Sequence, residues 1–97
     1  MAGRAIVARF HARLGTGPAV EALLRGFVSP SRTEDGCQFY TLCRDPDDPD
    51  LFVILDAWRD HSAFEAHAST DFVARTLAEL EPLLREPPRI TQLDQLA

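Results

Sequence analysis

The sequence predicts a single α+β domain with an antiparallel sheet and helices on one face of it. Some segments alternate apolar and polar residues with a period of two, and others space apolar residues as one face of a helix. Short turns rich in Gly, Pro and Asp separate them. The order is strand, helix, strand, strand, helix pair, strand, which is the ferredoxin-like βαββαβ plan. Ninety-seven residues allow one domain, over residues 1–97, with a small core.

The first strand and helix follow from hydrophobic periodicity. Residues 5–14 alternate, and Pro18 suits the first turn of the helix that follows. Pro30 predicts that this helix ends or kinks near Ser29. The apolar face of the strand comprises Ile6, Ala8, Phe10, Ala12 and Leu14. The apolar stripe of the helix comprises Ala19, Val20, Leu23, Leu24, Phe27 and Val28.

The middle of the chain predicts a β-hairpin. Cys37–Arg44 and Leu51–Trp58 are rich in strand-forming residues, and Gly36 is a turn residue before the first of them. The connection, residues 45–50, holds four acids and two prolines and is short enough to require antiparallel pairing. The register stays open at this point. A shift of one residue changes whether Tyr40 shares a face with Asp56 and Trp58.

The last third predicts two short helices and a final strand. Asp60 is a good N-cap for a helix with Ala63, Phe64, His67 and Ala68 on one side. Ser69 or Thr70 can cap the next helix, and Pro82 ends it. Residues 89–96 alternate as a strand. The buried stripe of the second helix comprises Phe72, Val73, Thr76, Leu77 and Leu80. One layer of helices leaves an apolar sheet face uncovered, which predicts a homodimer.

Charge and cysteine usage exclude several classes of partner. A net charge of −5 argues against nucleic acid and against an anionic membrane surface. No apolar run approaches the roughly 20 residues that span a bilayer, and the start lacks a leader pattern. Cys37 and Cys43 lie about 20 Å apart in one strand, too far for a disulfide, and free thiols favour a cytoplasmic location. No metal-ligand spacing or dinucleotide-binding glycine motif is present, so we expect no metal, no flavin and a colourless protein.

Three places can carry chemistry, and each has a structural alternative. Asp56, in an apolar strand close to Trp58, can line a cavity or can pair with an arginine such as Arg9. His67 can act as a general base near neutral pH or can be a satisfied core histidine. His11 and His61 look more exposed. The third is a set of aromatic residues that form core or line a flat apolar pocket for a planar ligand: Phe10, Phe39, Tyr40, Phe52, Trp58, Phe64 and Phe72.

Several stretches resemble the antibiotic biosynthesis monooxygenase (ABM) family. Residues 34–40, EDGCQFY, resemble its E-x-G-C-x-x-Y signature, and residues 44–49 with 52–58 look like its RDPDDP and FVLLExW stretch. Residues 63–72 are similar to its A-x-x-x-H helix motif, and residues 82–84 to its tail. Together the matches cover nearly the whole chain in order. The resemblance implies a dimeric α+β barrel with one pocket per subunit between sheet and helices.

The resemblance also implies an activity and residue roles. Members include cofactor-independent quinol or anthrone monooxygenases and haem-degrading oxygenases. For the first kind, His67 would be the base or hydrogen-bond partner, Trp58 would wall the substrate ring and Tyr40 would orient an oxygen substituent. Asp56, Phe10, Phe64 and Phe72 would complete the pocket.

The sequence departs from the family pattern at three positions, and these departures bear on which activity of the family we expect. Asp56 replaces the usual glutamate two residues before the tryptophan, and Asp71 replaces a second histidine. Ala8 stands where the haem-degrading branch has an asparagine, and the chain contains no asparagine at all. A monooxygenase for a quinol- or anthrone-like substrate and O2 is therefore the leading hypothesis. The alternative is a non-enzymatic ligand-binding or stress-response dimer on the same fold.

Overall fold

The computed structural model describes residues 2–97. Along the chain, it places the strands β1 (Arg4–His11), β2 (Cys37–Arg44), β3 (Leu51–Trp58) and β4 (Arg89–Asp94). The helices are α1 (Gly17–Arg32), α2 (His61–Ala68) and α3 (Asp71–Leu80), and a short 3-10 helix, Glu81–Leu83, follows α3. The predicted order of elements is confirmed.

The four strands form one antiparallel sheet in the order β2-β3-β1-β4. This is the ferredoxin-like arrangement, in which both helical connections cross the same face of the sheet. Ile6, Ala8 and Phe10 on β1 and Phe52 and Ile54 on β3 face the helices and are buried. The fold class predicted from the sequence is therefore confirmed.

The hairpin register, which the sequence left open, puts Tyr40 directly opposite Asp56. A bulge between Cys37 and Phe39 shifts the pairing near the start of β2. Opposed residues share a face, so Tyr40 and Asp56 both point toward the helices, as does Trp58. All three side chains are buried.

Two predicted boundaries were wrong. Helix α1 does not end near Ser29 but continues through Pro30 to Arg32. Pro30 has no N–H to donate to the carbonyl one turn earlier, but its own carbonyl accepts bonds from the backbone N–H and the hydroxyl of Thr33, which close the last turn. Strand β1 ends at His11, so Leu14 lies in the turn that follows and is 92% exposed.

The helix caps agree only in part with the sequence. The Asp60 carboxylate accepts a hydrogen bond from the Ala63 backbone N–H at 2.9 Å, which confirms the predicted N-cap of α2. Thr70 occupies the N-cap position of α3, but its hydroxyl donates to the His67 carbonyl instead. The last strand stops at Asp94, two residues short of the prediction, and all of its residues are exposed.

The sheet face away from the helices carries apolar residues in aligned rows. Phe39, Ala57, Ala5 and Leu93 form one row across the four strands. Phe39 and Leu93 are 48% and 49% exposed. Within the described residues both cysteines are free, and no helix is long and apolar enough to cross a membrane.

Candidate functional site

A cavity of about 150 Å³ lies between the sheet and the helices. Its floor is formed by Ile6, Ala8 and Phe10 of β1 and by Ile54 of β3, and its roof by residues of all three helices. Leu77 and Ile90 also line it and are partly exposed, so they mark its mouth. The polar side chains on its wall are Tyr40, Asp56 and His67.

Three larger hollows lack these features. One, of about 480 Å³, lies between α1 and β2, where Arg25 and Arg44 both pair with Glu21. Another, of about 530 Å³, lies beside the Pro87-Pro88 segment, and a third, of about 400 Å³, lies between the turn before β2 and helix α2. All three are open grooves on the surface, lined in part by charged side chains. The small cavity is the one that combines apolar walls with buried ionisable groups, which is the usual signature of a ligand site.

Asp56 is the acidic group of the cavity wall. It is 3% exposed, and its Oδ2 accepts a hydrogen bond of 2.7 Å from the indole N–H of Trp58. Burial raises the pKa of Asp56 to about 6, although the Trp58 hydrogen bond and the nearby His67 oppose the rise. The carboxyl group can therefore exchange a proton close to neutral pH.

His67 lies at the centre of an aromatic cluster. Its ring stacks on Trp58 with centroids 4.6 Å apart and an angle of 30° between the planes. Tyr40, Phe64 and Phe72 surround the other sides at centroid distances of 5.6 to 6.5 Å. These contacts fix the plane of the imidazole, which leaves it little freedom to rotate.

The same imidazole is held by a carboxylate. Nδ1 of His67 lies 2.8 Å from Oε1 of Glu34, which comes from the connection between α1 and β2. That connection approaches α2 closely because Gly36 has a φ of +85°. A Cβ at Gly36 would lie 2.6 Å from the Cβ of Ala63, so a glycine is required there.

Tyr40 keeps its proton in this environment. Burial and then the negative charge of Asp56 raise the pKa of its hydroxyl above the ordinary value. A neutral phenol in an apolar wall is a hydrogen-bond donor, suited to an oxygen atom on a ligand.

The structure brings most of the predicted site residues together. Phe10, Tyr40, Asp56, Phe64 and His67 line the cavity. Trp58 and Phe72 contact His67 from outside the lining, so Trp58 is placed to hold His67 and Asp56. Asp56 does not pair with Arg9, which lies on the opposite face of the sheet.

Two residues of the site have no role in the prediction from sequence. Phe27 of α1 lines the cavity, and Glu34 holds His67. The sequence places Phe27 only in the apolar stripe of the first helix. Glu34 is the first residue of the EDGCQFY stretch, and that motif was the one available signal for it. Nothing in the linear spacing shows that residues 34 and 67 meet.

Fold and cavity together define a class: a small ferredoxin-like α+β domain with an apolar pocket between sheet and helices, and an acid and a histidine in its wall. Solved structures share this architecture over the whole chain. PA3566 from Pseudomonas aeruginosa superposes with a TM-score of 0.92 and 37% identity, covering 100% of this chain and 97% of that one. Rv0793 from Mycobacterium tuberculosis superposes with a TM-score of 0.93 and 30% identity, covering 99% and 97%.

Sequence comparison gives the same assignment. The family described as "Antibiotic biosynthesis monooxygenase" matches residues 4–79. The M. tuberculosis protein named "Putative monooxygenase Rv0793" is 33% identical over 92 residues, which are 95% of this chain and 90% of that protein. The chain belongs to the antibiotic biosynthesis monooxygenase family, as the motif resemblance indicated.

Proposed function

We propose that the protein is a cofactor-independent monooxygenase that acts on a quinol-like aromatic substrate. The observation that carries the proposal is the cavity itself, because an apolar pocket holds a histidine and an acid whose pKa is about 6. Family membership and the name of the M. tuberculosis relative support an oxygen-inserting activity.

The volume of the cavity favours a substrate with one ring inside it. A cavity of about 150 Å³ is the size that holds one benzene molecule in a well-studied engineered protein. A three-ring anthrone needs more room, so it would fit only if the mouth at Leu77 and Ile90 opened. We therefore favour a hydroquinone whose substituents extend through that mouth.

The reaction balances without an external reductant. The base takes a hydroxyl proton, the quinolate gives electrons to O2, and a C–O bond forms at the ring carbon next to the oxygen substituent. The O–O bond of the resulting hydroperoxide then breaks with loss of water, which leaves a carbonyl at that carbon. Overall, a hydroquinone and O2 give a hydroxyquinone and water, and all four electrons come from the ring. An apolar cavity assists by excluding bulk water from the hydroperoxide.

The cavity residues divide these tasks. His67 is the base, since imidazole is the side chain that most often serves as a general base. Tyr40 donates a hydrogen bond to a substrate oxygen, and Asp56 accepts one from a second hydroxyl. Phe10 and Phe64 wall the ring. Trp58 and Phe72 hold the imidazole in its plane.

A homodimer is the assembly that the open sheet face supports. The rows through Phe39, Leu55 and Leu93 expose apolar side chains that no helix covers. Two copies that pack these faces together should bury more than about 1,000 Å² in total. Light scattering at micromolar concentration should give twice 10.8 kDa, and a monomer would contradict the dimer. The two free cysteines fit a reducing, cytoplasmic compartment.

Aerobic turnover with a graded panel of substrates tests the proposed function. The purified protein, treated to remove metals and flavin, should consume one O2 for each one-ring hydroquinone converted. Naphthohydroquinones should react more slowly and anthrone most slowly. Tight binding of these compounds without O2 consumption would contradict the proposal and favour a ligand-binding role.

A further inference from the structure

We infer that Glu34 is the positioning residue of the site: it fixes the tautomer of His67 so that Nε2 is the nitrogen presented to the cavity. Only the kinetic effect that we expect from Glu34 rests on the proposed function. Its structural part concerns the contact between Glu34 and His67 and stands without a substrate.

The hydrogen-bond chemistry of the pair determines the tautomer. An ionised carboxylate can only accept hydrogen bonds, so the 2.8 Å contact requires a hydrogen on Nδ1 of His67. Nε2 has no hydrogen-bond partner within residues 2–97. In a neutral ring Nε2 then carries the lone pair, which is the form that a general base needs.

Glu34 is rigidly placed for this task. Its backbone N–H donates to the Ser31 carbonyl at 3.1 Å, and its carbonyl accepts from the Cys37 N–H at 3.2 Å. The Gly36 carbonyl accepts from the Arg59 N–H at 2.7 Å, which ties the turn to the start of α2. The backbone is therefore fixed on both sides of Glu34, and the carboxylate, which is 21% exposed, is held by its contact with His67.

The arrangement has the logic of a carboxylate–histidine pair in nucleophilic and acid–base enzymes. There the carboxylate orients the imidazole and stabilises the cation formed when Nε2 takes a proton. Here the protonated ring would lie between two acids, with Glu34 at Nδ1 and Asp56 nearby on β3. The proton goes from the substrate to Nε2, while Nδ1 keeps its own.

The neighbouring acid provides a matched control. Asp35 is next in the chain, but its side chain is 92% exposed and pairs with Arg59 on the surface. Removing Asp35 changes the charge of the same turn without touching His67. His11 supplies an internal reference, because its Nε2, not its Nδ1, lies 2.9 Å from Asp48.

The experiment is nitrogen-15 NMR of the histidine rings above the titration range of histidine, with variants checked for folding by thermal melts. Wild type should show His67 protonated at Nδ1, and His11 protonated at Nε2. Glu34→Ala should shift His67 toward the other tautomer. Glu34→Gln, whose amide oxygen can still accept, should keep the wild-type pattern, and Asp35→Ala should change nothing. An unchanged His67 in Glu34→Ala, or Nε2 protonation in wild type, would overturn the inference.

Kinetics separate this inference from the proposed function. If quinol turnover is present, Glu34→Ala should lower kcat about tenfold with little change in KM, less than the roughly hundredfold loss of the base itself. Undiminished kcat in Glu34→Ala would overturn the positioning role. If wild type turns over no quinol, the proposed function fails, and the NMR result alone decides on Glu34.

Discussion

Two histidine–carboxylate pairs at separate places in the fold show how far the surroundings decide what a pair can do. His67 and Glu34 are 2.8 Å apart beside the cavity, and His11 and Asp48 are 2.9 Å apart near the β2–β3 loop. The His67 side chain is 8% exposed and stacked on Trp58, whereas that of His11 is 23% exposed. The two distances nearly match, but the His67 ring borders an apolar cavity and the His11 ring is partly open to water.

The His11 pair belongs to a clasp that we define by His11, Asp48, Asp50, Arg85 and Glu86. Arg85 donates to the Ala12 carbonyl and reaches Asp50, while Glu86 lies 3.7 Å from His11 on its other side. The clasp joins the end of β1 to the acidic loop and to the segment before β4. Its charges are solvated, so it secures connections and presents no dry surface to a substrate.

The surroundings also shift the pKa values of the nearby acids, Asp48 in the clasp and Asp56 at the cavity, in opposite directions. The backbone N–H of Asp50 and then His11 hold the pKa of Asp48 below its ordinary value, although partial desolvation opposes them. Burial raises the pKa of Asp56 instead. Hydrogen-bond donors around a solvated acid favour its ionised form, whereas an apolar wall disfavours ionisation.

The largest expected effect comes from exchanging the two histidines for alanine in turn. His67→Ala should lower quinol turnover roughly a hundredfold, the scale of one lost general base. It should also lower the melting temperature, because it leaves a gap in the aromatic cluster and removes the partner of Glu34. His11→Ala should leave turnover per folded molecule unchanged and lower the melting temperature slightly. If His67→Ala lowers only the melting temperature, His67 is a core residue and its catalytic assignment is wrong.

The next effect concerns the pH dependence of stability. A pKa raised from 3.8 to about 6 means that folded protein binds the Asp56 proton more tightly than unfolded protein does. Stability is therefore lost as pH rises from about 4 to 6, by about 3 kcal/mol. Urea unfolding should show Asp56→Asn gaining that amount relative to wild type across this window.

Asp48→Asn is the matched control for that measurement. Its lowered pKa contributes stability above the unfolded value, which disappears as pH falls through the folded one. The variant should therefore be less stable than wild type at neutral pH, and the difference should vanish in acid. A difference curve for Asp56→Asn that stays flat from pH 4 to pH 6 would show that the cavity is more solvated than its lining indicates.

A smaller effect is expected at Trp58. Trp58→Phe keeps a ring against His67 but removes the N–H that donates to Asp56. The unpaired carboxylate should cost about 1 to 2 kcal/mol of stability at neutral pH, with weaker quinol binding. In an Asp56→Asn background the same change should cost less, since the charged partner is gone. Equal costs in both backgrounds would show that the indole N–H does not support Asp56.

The periodic parts of the chain were predictable and the contacts between distant parts were not. Strand-forming residues on either side of a short turn gave the exact bounds of β2 and β3, because strand propensity and turn chemistry are local. The position of Pro30 misled, since a buried Ser31 and the Thr33 bonds hold the last turn of α1. Tyr40 opposite Asp56 depends on the register at which the turn over residues 45–50 closes the hairpin, and Glu34 beside His67 depends on Gly36. Neither has a periodic signature.

The most direct test of the central claim is the fate of labelled oxygen. One-ring hydroquinone and ¹⁸O2 should give, on rapid quenching, a hydroxyquinone with one labelled atom, the second label appearing in water. His67→Ala should form this product about a hundredfold more slowly, and His11→Ala at the wild-type rate. Quinone without label, accompanied by labelled hydrogen peroxide, would contradict oxygen insertion at this cavity.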